Sequence, residues 1–139
     1  WAQINKRLPW FLHYYPQTRP SELDQVRAQL RSRQEFPNAE WERLTPQNLN
    51  TVKKVLRLIA QEMMWPNFHF TPDDPLPAVL FTADKMNMEW ICYDAEKHLG
   101  ISLSVAEIVL MLEAEATLGH FMLTVLARQP KRELAGGSE

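Results

Sequence analysis

Residues 83–104 read ADKMNMEWICYDAEKHLGISLS. The reading of this stretch decides the fold, because it holds one complete helix with both of its stops. Asp84 suits the N-cap, where a short side-chain oxygen accepts from a free amide of the first turn. Met88, Ile91, Cys92, Ala95 and Leu99 recur at three- and four-residue spacing, which places them on one face. Gly100 tolerates the left-handed conformation at a helix end. Ser104 and Glu107 then form a capping box that opens a further helix. That helix carries Ile108, Val109, Leu110, Met111 and Leu112 and is apolar nearly all round.

Downstream, a last helix is expected from near Thr117, with Leu118, Phe121, Met122, Val125 and Leu126 as its apolar positions. The polar tail from Gln129 onward ends in Gly-Gly-Ser-Glu and is expected to fray. Upstream, Pro66, Pro72, Pro75 and Pro77 exclude regular structure across the whole of residues 65–82. Phe68, Phe70, Leu76, Val79, Leu80 and Phe81 are too apolar for a free linker, so the loop should fold against the core. Before the loop, Leu49, Val52, Leu56, Ile59 and Met63 make one face of a long helix with Val55 beside it. Thr45-Pro46 reads as its cap and first residue, and Pro66 as its end. An earlier helix starts at Ser21, carries Leu23, Val26 and Leu30, and is stopped by Pro37. Residues 1–20 set Trp10, Phe11, Tyr14 and Tyr15 between Pro9, Pro16 and Pro20, the pattern of an aromatic arm. No strand and no internal repeat is predicted, and the fold class is all-α.

The bulk numbers bound the function classes. A chain of 139 residues is a one-domain length. Hydrophobic residues are 45% and charged residues 23%, ordinary for a globular domain. The formal charge is -2 with both signs interspersed, so no basic stripe marks a nucleic-acid partner. Cys92 is the single cysteine, which excludes an intramolecular disulfide and a cysteine zinc site. A reducing, cytoplasmic location is expected. No apolar run approaches the roughly 18 residues needed to span a bilayer. The chain opens on Trp1 rather than Met, as an excised domain or a processed chain would.

The stretch from about Gln47 to Arg128 resembles an acyl carrier protein. The segment FTPDDPLPAVLF, residues 70–81, is similar to the family's wrapped loop, where an acidic residue, an apolar residue and a leucine precede the second helix. DAEKHLGISLS, residues 94–104, resembles the end of that helix and the cap after it. ATLGHFMLTVL, residues 116–126, resembles the start of the final helix. The resemblance implies a four-helix carrier-like bundle over 46–130. An added N-terminal arm and helix over 1–45 would pack on the bundle, and 131–139 would be a flexible tail. It also implies where a phosphopantetheine arm would attach: a serine in Asp-Ser-Leu at the start of the second helix. The matching positions here read Asp84-Lys85-Met86. Lysine has no hydroxyl to form the phosphodiester, and Ser102 and Ser104 lie beyond the far end of that helix. The expectation is a carrier-like domain that carries no prosthetic group.

Other chemistry is thin. His13, His69, His98 and His120 form no His-x-x-x-His pair and no Glu-x-x-His pair. His69 with Asp73 and Asp74 is the nearest approach to a metal site, and a solvated loop with the two aspartates as turn formers is the simpler reading. Cys92 on an apolar face reads as an inert small hydrophobe. Glu113 and Glu115 point apart on a helix end. Gly100, Gly119, Gly136 and Gly137 make no phosphate loop. Met63, Met88, Met111 and Met122 fall on core faces. No catalytic residue, metal or cofactor is expected, and the function expected is that of a non-enzymatic interaction domain. The alternatives are a carrier modified at an unusual site and an accessory or inhibitory protein of a larger assembly.

One surface stands out. With Met88, Ile91, Cys92, Ala95 and Leu99 inward, about 100° per residue puts Met86, Trp90, Tyr93 and Lys97 on the opposite side. Tryptophan and tyrosine are enriched in binding hot spots, and an uncovered apolar stripe is unusual. Two covers suit it: the arm folding back, or another protein or second copy. The arm itself, with Lys6, Arg7, Trp1, Trp10 and Phe11, is the weaker candidate for contact with a membrane surface.

Overall fold

The structure is a computed structural model that describes residues 20–80 and 83–129. Expectations for the arm, for Phe81 and for the tail therefore lie outside the described residues. Among those described there are seven helices and no strand. They are α1 (Pro20–Ser32), α2 (Asn38–Leu44), α3 (Leu49–Glu62), α4 (Leu76–Val79), α5 (Lys85–Leu99), α6 (Val105–Glu113) and α7 (Leu118–Ala127). The fold is all-α. Among the described residues the one extended pairing is an isolated antiparallel bridge between Pro75 and Thr117.

Sequence signals at helix ends account for α5, α6 and α7. Asp84 accepts from the Asn87 amide at 2.8 Å, and the Asn87 side chain accepts from the Asp84 amide in return. Gly100 takes the left-handed conformation at φ 68°. Ser104 and Glu107 close the second box, and Thr117 accepts from the His120 amide at 3.1 Å.

Three elements depart from the sequence reading. Helix α3 starts at Leu49, not after Thr45, because the Thr45 hydroxyl turns back to donate to Trp41 O at 2.9 Å. Thr45 thereby ends a short helix, α2, that the sequence reading left out, and Pro37 opens α2 as well as closing the segment before it. Within the proline-rich loop, Leu76–Val79 winds one turn, with Pro77 in its first turn where no amide partner is needed.

The core joins every helix. Val26 and Leu30 from α1, Trp41 from α2, Val52, Leu56 and Ile59 from α3, and Met88 and Ile91 from α5 meet in one cluster. Phe70 and Leu76 of the loop, Ile108 and Leu112 of α6, and Phe121 and Met122 of α7 belong to it too. Helices α3 and α5 make the broadest pairing, and α5 also packs on α6. Met63 and Cys92, expected in the core, lie half-buried at its edge.

The loop is tied down by polar bonds that the apolar pattern does not reveal. Indole Trp41 Nε1 donates to Phe70 O at 2.7 Å, and Trp65 Nε1 donates to Val79 O at 2.9 Å. Asp74 was expected as an exposed turn former. It is buried, pairs with Arg33 at 3.0 Å and accepts from the Thr71 amide at 2.9 Å. A carboxylate is held in such a place only when paired and hydrogen-bonded. The pairing fastens the loop to the end of α1. Gly119 donates to Pro72 O at 2.8 Å, and a Cβ there would meet Pro72 Cβ and O at 3.0 Å. A side chain at this crossing would make the loop give by a few tenths of an ångström, so the constraint on Gly119 is one of space and not of backbone conformation.

Candidate functional site: the outer face of α5

Helix α5 is packed on one side by α3 and α6, and its apolar residues divide by face. Met88, Ile91 and Ala95 are buried. Met86, Trp90 and Tyr93 are 65%, 49% and 53% exposed, among the few large hydrophobic side chains of the described residues left to solvent. Met64, Leu110 and Leu123, the others, sit singly on different helices or turns. The 100° periodicity therefore places all four predicted residues together on the outer side, Lys97 included.

The stripe is ordered internally. The Trp90 and Tyr93 rings meet edge to face, centroids 5.6 Å apart and planes at 87°. Lys97 Nζ lies 5.7 Å from the Tyr93 centroid, a cation over a ring face. Met86, Glu89, Trp90 and Tyr93 line a shallow depression of about 300 Å³. Glu89 is the member that sequence reasoning missed. Its three-residue spacing from Met86 was the available signal, but an acidic residue was not sought on an apolar stripe.

Lys85 is the first residue of α5, directly after the Asp84 cap, and is exposed. The amino end of a helix favours an anion, such as a phosphate, through its free amides and dipole. A lysine there presents a cation against that dipole and no hydroxyl. No oxygen nucleophile occupies the position.

The remaining candidates separate rather than converge. His69 is engaged by the Arg33 carbonyl at 2.9 Å from Nδ1, with Asp74 committed to Arg33. His98 and His120 are exposed. No group of three or more His, Cys, Asp or Glu among the described residues could hold a metal ion. Burial first, and then the carboxylates of Glu107 and Glu89, push the Cys92 thiol up to about 11. It is a poor thiolate source. No helix among the described residues is long and apolar enough to cross a membrane.

Comparison with other proteins leaves these observations to stand on their own. No protein-family model, curated protein or solved structure matches the chain.

Proposed function

We propose that this chain is a carrier-like helical domain without a prosthetic group, and that it works by docking another macromolecule on the outer face of α5. The observation that carries the reading is the pairing of Lys85 with the stripe beside it. At the helix start, where a carrier needs a hydroxyl, the side chain is an exposed ammonium. Along the same helix, Met86, Trp90 and Tyr93 stay in solvent with their rings already arranged. The order of a long helix, a wrapped loop, a capped helix with a left-handed glycine stop, a shorter helix and a final helix supports the carrier likeness. Interaction through rigid aromatic side chains costs little conformational entropy, and it needs neither cofactor nor catalytic group.

The test is the intact mass of the full chain after incubation with a broad-specificity phosphopantetheinyl transferase and coenzyme A. An unchanged mass is expected. A phosphopantetheine adduct at any residue would return the chain to the carriers and overturn the reading.

A further inference from the structure

We propose that the groove between α3 and the C-terminal end of α5 is a second docking surface, and that its occupant is an acidic amphipathic helix of another protein. It is independent of the outer stripe of α5. The two signs of charge are interspersed over the chain as a whole, but not here. Residues 43–72 hold Arg43, Lys53, Lys54 and Arg57 against one acid, Glu62, in a chain whose formal charge is -2. Glu62 is the last residue of α3, and its carboxylate is engaged by Asn87 Nδ2 at 2.7 Å.

The cations of α3 rest on rings rather than on acids. Lys53 Nζ lies 5.3 Å from the Phe36 centroid and Arg57 Cζ 4.6 Å from the Phe68 centroid, and the two rings are 5.4 Å apart. Contact with a ring orients a cation without neutralising it, and it leaves N–H groups for a carboxylate. Lys54 is exposed. Glu35 precedes Phe36, and Asp94 and Glu96 precede His98, yet none of Lys53, Lys54 and Arg57 is in an ion pair among the described residues. Lys54, Arg57, Leu58 and Gln61 of α3 and His98 and Leu99 of α5 line a groove of about 360 Å³. Leu58 and Leu99 are half-buried, so the groove joins an apolar strip to a cationic edge. Shape and composition select the occupant. A flat membrane would not follow a groove, and a phosphate backbone offers Leu58 and Leu99 nothing apolar. A helix with leucines beside acids supplies both contacts. Lys54 and Arg57 are about 4.5 Å apart along the α3 axis, close to the roughly 5–6 Å between acids three or four positions apart on a partner helix.

Fluorescence anisotropy tests this, with the full chain titrated into a fluorescein-labelled peptide of two repeats of Glu-Leu-Ala-Glu-Leu-Leu-Glu. Saturable binding is expected, about tenfold or more tighter than that of the same peptide with lysine for every glutamate. It should weaken several-fold as salt rises from about 50 to 300 mM. Lys54→Glu combined with Arg57→Glu should weaken the acidic peptide about tenfold or more and reverse the preference between the two peptides. Lys54→Glu alone, at an exposed side chain in no ion pair among the described residues, should weaken it about threefold or more. That single exchange carries the test if the double one disturbs the loop through Phe68. Trp90→Ala should change binding by less than about twofold, since surface away from a contact is near neutral. No saturable binding, equal binding of the two peptides, indifference to Lys54→Glu, or a tenfold loss on Trp90→Ala would overturn the proposal. So would a chain that ignores the acidic peptide and instead binds phosphatidylglycerol vesicles or a uridine homopolymer through Lys54 and Arg57.

Discussion

At the scale of the residue, the side chains that could react are held where they do not. Cys92 is half-buried on the side of α5 that faces α6, and its thiol is raised from an ordinary 9.0 to about 11 by burial and by two neighbouring carboxylates. A folded-state value above the unfolded one favours folding while the thiol is protonated. That contribution is complete below about pH 9 and is lost as pH rises through about 11. The stability of wild type relative to Cys92→Ala should therefore fall across this window, measured by urea unfolding at several pH values. A difference that stays flat would mean that the thiol is open to water. Asp74 teaches the complementary lesson. In the sequence it is one of two adjacent aspartates between prolines, a turn signal. Its burial depends on Arg33, forty-one positions earlier, and no local pattern encodes a pairing at that separation.

At the scale of the element, what was legible is what is local. Helix α5 could be drawn from its Asp84 cap, its apolar spacing and Gly100, and the four outer residues followed from the angle between positions. Helix α2 could not. NAEWERL buries one side chain, Trp41, so it has no stripe, and its end depends on a Thr45 hydroxyl that equally suits the start of the next helix. The turn at Leu76–Val79 was hidden for a different reason. Four residues that follow Pro75 and include Pro77 carry no periodicity, and the segment holds its shape through the core around it and the bond from the Leu76 amide to Ala116 O at 3.0 Å. Glu89 was hidden because the stripe was traced through its apolar members, and an acid three residues from Met86 does not register in that pattern. Helix α3 is the element on which stability depends most plainly. Leu56 and Ile59 are fully buried at the crossing with the rest of the core. Truncating either to alanine should cost about 2–5 kcal/mol, read as a shift in the midpoint of chemical unfolding. A cost below roughly 1 kcal/mol at both positions would mean that this face is not the core.

At the scale of the whole molecule, one core draws on all seven helices of the described residues, and α5 alone turns several large apolar side chains together to solvent. The prolines, the indole-to-carbonyl bonds and the Arg33–Asp74 pair fix the wrapped loop beneath α1 and α2. Helix α5 is thereby left as a rigid rail with Met86, Trp90 and Tyr93 outward. The central claim is that these side chains serve contact with another molecule and not the stability of their own. The most direct measurement is the unfolding free energy of Trp90→Ala beside that of Leu56→Ala, both taken at a protein concentration too low for association. The account predicts that Trp90→Ala costs less than roughly 1 kcal/mol, as substitutions on an open surface do, while Leu56→Ala costs about 2–5 kcal/mol. A loss at Trp90 equal to that at Leu56 would contradict it, because the stripe would then be part of the core.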